Sequence, residues 1–119
     1  MHPKAVELQK RLLKFSTTVC KLCDALPSVL SARRIATQLI DSASSSYGNY
    51  RSACRARSRA EFIAKLGVVV EELDESEGWL IQLRELAHIT QPQSEPLLTE
   101  TNELLSIFVS SVLTAKGRK

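Results

Sequence analysis

Four arginines, Arg51, Arg55, Arg57 and Arg59, fall inside the stretch NYRSACRARSRAEF, residues 49–62. A guanidinium is planar, always charged and carries five donors in a fixed fork, which suits it to phosphate and carboxylate oxygens. Arg51 and Arg55 lie four apart, a spacing that puts them on one face of a helix. Two readings compete at this stretch. It is either a grip for nucleic-acid phosphates or a basic corner whose charges pair within the molecule or are solvated.

Other groups with chemistry are few. Cys20 and Cys23 form a C-x-x-C, and Cys54 is the third thiol. No second cysteine pair and no adjacent strand accompany them, and His2 and His88 are the only imidazoles. Metal and redox sites are therefore not expected, and three thiols without an export signal do not suggest a disulfide framework. The acidic run EELDESE, residues 71–77, offers Glu72, Asp74 and Glu75 to basic residues of another helix or another subunit. No nucleophile, metal set or paired base stands with these acids, so no catalytic role is assigned to them. Enzyme activity, a cofactor and a small-molecule substrate are all unexpected.

The net charge of +3 conceals an asymmetry. Residues 1–65 carry 12 Lys or Arg against 4 Asp or Glu, whereas residues 66–119 carry 4 against 9. Such a molecule has a basic side for an acidic partner and an acidic side for a basic one.

The elements that hold these groups are legible from period and punctuation. At 119 residues, 44% hydrophobic and 24% charged, the composition is that of one globular domain. Four glycines and four prolines are too few for an all-β chain of this length. Leu8, Leu12, Phe15, Val19, Leu22 and Leu26 repeat at 4-3-4-3-4, predicting a helix over about 4–26 that Pro27 ends. A second helix over about 28–56 uses Ala32, Ala36, Leu39, Ala43, Ser46, Tyr50 and Ala53, mostly small residues that permit close approach. Its serines at 42 and 44–46 can bond back to the preceding turn. Ser58 and Glu61 form an S-x-x-E capping box, in which the hydroxyl accepts from the Glu61 amide and the carboxylate from the Ser58 amide. A third helix then runs over about 58–89 on Phe62, Leu66, Val69, Leu73, Ser76, Leu80, Leu83 and Ala87. After a connection through TQPQSEP, a fourth covers about 94–115, and the tail AKGRK is basic. Short connections make successive helices antiparallel neighbours, so the fold class is all-α, an up-down-up-down four-helix bundle. No apolar run approaches a membrane span, and the N-terminus lacks a signal peptide's apolar block, so a cytoplasmic protein is expected.

At Asn49, Arg57-Ser58, Glu61-Phe62, Leu66 and EELDE the sequence resembles the family of the 23S rRNA intervening-sequence protein. The most specific part is RARSRAEFIAKLGVVVEELDESEGWL, residues 55–80; helix order extends the likeness over about 5–115. Many members carry Pro before the Asn and Ala-Glu-Gly after it. Here Ser46-Tyr47-Gly48 precedes Asn49, and Ser52 stands in place of the family glutamate. The resemblance implies an antiparallel bundle that assembles into a homopentameric ring. It also brings in a relative, the accessory variability protein of diversity-generating retroelements, which binds nucleic acid and a reverse transcriptase. The expectation is a non-enzymatic oligomeric bundle that binds RNA or DNA, or a nucleic-acid-associated partner, through Arg51, Arg55, Arg57 and Arg59. The alternative is a protein-binding scaffold whose charges serve assembly alone.

Overall fold

The computed structural model describes residues 1–117. Four helices follow one another: α1 (Pro3–Asp24), α2 (Leu30–Cys54), α3 (Arg59–Glu85) and α4 (Gln91–Gly117). The molecule measures 50 × 21 × 20 Å. A 27-residue helix is about 40 Å long, so the helices must run along the long axis. Contacts at their ends establish the directions. Ser31 near the start of α2 bonds His88 just beyond α3 at 2.8 Å, and Arg59 at the start of α3 bonds Ala115 near the end of α4. Met1, His2 and Ala5 share a cleft with Tyr50, Ala53 and Cys54 at the end of α2. The fold is an all-α antiparallel four-helix bundle.

Its most extensive contact is between α2 and α3. Ala43 and Ser46 of α2, on either side of the Ser42–Ser76 contact in sequence, are fully buried, and such small side chains let the two backbones approach. The buried hydroxyls are satisfied locally. Ser42 bonds the Leu39 carbonyl, Ser46 that of Ala43 and Ser76 that of Glu72, while Ser42 and Ser76 meet across the seam at 2.8 Å. Leu12, Phe15 and Val19 of α1 and Leu104 and Phe108 of α4 complete one core, and Tyr50 meets Phe108 edge-on at 4.9 Å. In α1 the expected stripe faces the core: Leu12, Phe15 and Val19 are buried, Leu8, Leu22 and Leu26 pack against it half-buried, and Cys23 joins it.

Contact between α1 and α4 is the least extensive of the four seams. A single polar cluster holds it. The Arg11 guanidinium bonds both Glu100 carboxylate oxygens, at 2.6 and 3.0 Å, and reaches Glu103 at 2.8 Å.

The helix ends fall within about two residues of the sequence expectation except at two places. The fourth helix begins at Gln91, not near residue 94, because Thr90 and Gln93 form a reciprocal capping box. Thr90 Oγ1 accepts from the Gln93 amide at 3.3 Å, and Gln93 Oε1 accepts from the Thr90 amide at 2.7 Å. Pro92 falls in the first turn, where a missing amide is tolerated. Helix α3 stops at Glu85 rather than near Ile89. The Ala87 amide bonds the Arg84 carbonyl and the His88 amide that of Leu83, the two hydrogen bonds of a Schellman motif. Ala87, expected in the apolar seam, is exposed and sits at φ 61°, and the chain turns back to bury Ile89. Of the basic tail, Arg118 and Lys119 lie outside the described residues.

An L-residue in the left-handed region costs roughly 1–2 kcal/mol, and glycine's extra freedom in the unfolded chain takes back about 0.4–1 kcal/mol. Ala87→Gly is therefore expected to raise stability by about 0.5–1 kcal/mol, read as a higher urea midpoint at unchanged slope. A lower midpoint would contradict the strain assigned to this turn.

Candidate nucleic-acid interface

The corner that carries the arginines is built by two helix ends. Helix α2 finishes at Cys54, where the Arg55 and Ala56 amides bond the Ser52 and Ala53 carbonyls. Helix α3 starts on Ser58, which is extended and whose hydroxyl accepts from the Glu61 amide at 3.0 Å. The Glu61 carboxylate accepts from the Arg57 amide, at 3.0 Å. The expected box is thus shifted by one residue on its carboxylate side, because the extended Ser58 turns the Arg57 amide toward the helix.

The four arginines stand at this end of the bundle, but in three different states. Arg51 and Arg55 flank a shallow depression of about 360 Å³ with Gly48, Ser52 and Glu61. Arg51 is loosely held: its Nη1 lies 3.3 Å from the Tyr47 hydroxyl, and its guanidinium lies 5.8 Å from that ring's centre. Arg57 is 91% exposed and 3.9 Å from Glu61, a distance at which an exposed pair contributes little. Arg59 is committed elsewhere. Its Nε and Nη2 both donate to the Ala115 carbonyl, at 2.9 and 2.6 Å, capping the last turn of α4.

That link brings further cations to the corner. Lys116 follows Ala115, and Lys4 sits in the first turn of α1, whose start lies beside the end of α2. These two positions are separated in sequence from the arginine cluster and are joined to it by the antiparallel packing. Asn49, close to the cluster in sequence, stays on its own helix and donates to the Ser45 carbonyl at 2.9 Å.

Further along α3 the charge reverses. Glu71, Asp74 and Glu75 are exposed on the outer side of α3. Among the described residues none of the acids of the 71–77 run enters an ion pair. The same outer side is notched at Gly78, where an added Cβ would meet nothing within 4 Å. Trp79 packs half-buried against the core, with its Nε1 buried and unpartnered among the described residues.

The C-x-x-C has no reactive geometry. Cys23 is buried against α2, with Sγ 3.9 Å from the Ala36 carbonyl. Burial first, then the neighbouring Cys20 and Asp24, pushes its thiol up to about 11, so the thiolate needed for nucleophilic or metal chemistry is disfavoured. No group of three potential ligands for a metal ion occurs among the described residues. No helix among them is long and apolar enough to cross a membrane.

A family model described as 23S rRNA-intervening sequence protein matches residues 4–110. A solved structure from Bacteroides thetaiotaomicron, described as a protein with unknown function from the S23 ribosomal protein family, superposes with a TM-score of 0.79 at 27% identity. The likeness covers 88% of this chain and 97% of that one. Comparison with curated proteins gives no match.

Since the Ser58 hydroxyl caps the first turn of α3, Ser58→Ala is expected to cost about 0.5–2 kcal/mol through the lost cap. Arg57→Ala, which removes only an exposed charge, should leave the unfolding midpoint nearly in place. Equal midpoints for Ser58→Ala and the parent would mean that the cap does not start α3.

Proposed function

The chain belongs to the 23S rRNA-intervening sequence protein family, and from that premise we propose that it is a non-catalytic, oligomeric helical bundle that binds nucleic acid through its basic end. The observation that carries the reading is convergence. Arg51, Arg55 and Arg57 are exposed at the corner where α1 begins and α4 ends, beside Lys4 and Lys116. Glu61, the acid at the α2–α3 corner, is engaged in capping α3. A patch of exposed cations held only by loose contacts, Arg51 to Tyr47 and Arg57 to Glu61, favours phosphate by counterion release, without a need for base-specific contacts. Arg59, at the start of α3, contributes charge while its fork is held on the Ala115 carbonyl of α4. The test is direct titration of single-stranded RNA and duplex DNA across a salt series. Arg51→Gln with Arg55→Gln should lower affinity and flatten the slope of log affinity against log salt by about 0.7–0.9 for each phosphate contact removed. Folding should be unaffected. Absence of binding by the parent protein at low salt refutes the reading.

Assembly is the second part of the proposal, and the unpaired acids of α3 support it. Glu71, Asp74 and Glu75 form an exposed acidic strip on α3, while α2 carries the exposed Arg33 and Arg34, away from the arginine corner. Docking of the acidic strip of one subunit on a basic surface of the next is heterologous, and such contacts close into rings. Ionic complementarity would fix orientation and register more than affinity; Trp79 and Ile107, both half-buried, are the candidate apolar anchors. A ring of five is expected, so light scattering should give five times the 13.2 kDa chain mass. A monomer or dimer across the micromolar range refutes it. Should the ring form while RNA and DNA fail to bind, the scaffold reading replaces the nucleic-acid one.

A further inference from the structure

The weak seam between α1 and α4 leaves a trough of about 550 Å³, within the usual size of small-molecule sites. Phe15 and Leu22 of α1 and Pro96 and Leu97 of α4 supply its apolar surface. Lys14 and Lys21 stand on its rim, seven residues apart, which places them about 10.5 Å from each other along the helix. Neither lysine side chain has an ion pair or hydrogen bond among the described residues. The one acid on the rim, Glu100, is held by the Arg11 guanidinium at 2.6 and 3.0 Å, which it shares with Glu103. The trough therefore combines an apolar floor with two lysines that have no direct partner among the described residues, leaving a net positive rim even with the Arg11–Glu100–Glu103 cluster counted.

Its length selects the occupant. The Arg11 cluster with Glu100 and Glu103 closes the seam at one end, so the open part spans only about two helical turns. A partner helix is about 10 Å wide with its side chains and would have to end at that cluster or break it. A single flexible chain meets no such obstruction. We propose that the trough between α1 and α4 binds a single-chain amphiphile of medium length with an anionic head group, its chain along Phe15, Leu22 and Leu97 and its head at Lys14 or Lys21. This site goes beyond the nucleic-acid reading and shares no residue with the arginine corner, so either can fail without the other.

The probe is sodium decanoate, kept below its micellar concentration and titrated calorimetrically into the full chain, with decanol as the uncharged comparison. The parent should bind one decanoate per chain saturably, and decanol at least tenfold more weakly. Lys14→Gln combined with Lys21→Gln should weaken decanoate at least tenfold and leave decanol unchanged. Thr18→Trp should abolish both. Thr18 is exposed beside the trough and its hydroxyl merely bonds the Lys14 carbonyl, so the indole fills the space without opening the core. Helical content by circular dichroism confirms that each variant is folded. No saturable heat with the parent, or parent-like binding by Thr18→Trp, overturns the site. Decanoate binding that is indifferent to both lysines overturns the anionic specificity.

Discussion

The close approach of α2 and α3 is the constraint on which the rest of the bundle depends. Small residues, Ala43, Ser42 and Ser46, let the backbones come near, and each buried hydroxyl finds an acceptor on its own helix or across the seam. Close packing there would be costly if those hydroxyls were left without partners. The other two helices lean on this central pair from either side. Having spent their apolar stripes on it, α1 and α4 have little left for each other, and Arg11 spans the gap that remains. Its hydrogen bonds to Glu100, then to Glu103, outweigh its partial desolvation and hold the guanidinium even more firmly protonated than usual.

The helices were legible because a seam at 4-3-4 spacing leaves a strong periodic trace, as Leu66, Val69, Leu73 and Leu80 show. Their ends were less so. Thr90 and Gln93 are a readable capping box, but Pro92 and Pro96 in the same stretch point toward a connection, and the cap wins locally. Ala87 fits the apolar period and carries no turn signal, so its left-handed conformation follows from how the chain must reverse to bury Ile89, a tertiary demand. The arginine cluster was visible as composition. Its division into loosely held, solvated and capping members was not, because Arg59 finds its acceptor on a helix more than fifty residues away. The trough has no sequence signature at all: it arises from two helices failing to meet.

Charge is arranged along the molecule as well as across it. Cations gather where α2 turns into α3, and the unpaired carboxylates of α3 begin about three turns further along the same helix. A polyanion approaching along the outer side of α3 would be repelled by that strip and attracted at the arginine corner, so the field on that side would orient an encounter before any contact formed. This directional effect fades with salt faster than contact does, since it acts over distances comparable to the screening length.

The grip of Arg59 on the Ala115 carbonyl makes two events compete for one side chain. An anion that drew the guanidinium away would strip the cap from the last turn of α4, and fraying of that turn would release the guanidinium to the anion. By thermodynamic reciprocity the two equilibria must shift each other by the same factor. The terminus of the fourth helix would then behave as a tethered competitor, present at a high effective concentration set by the fold rather than by what is dissolved around it.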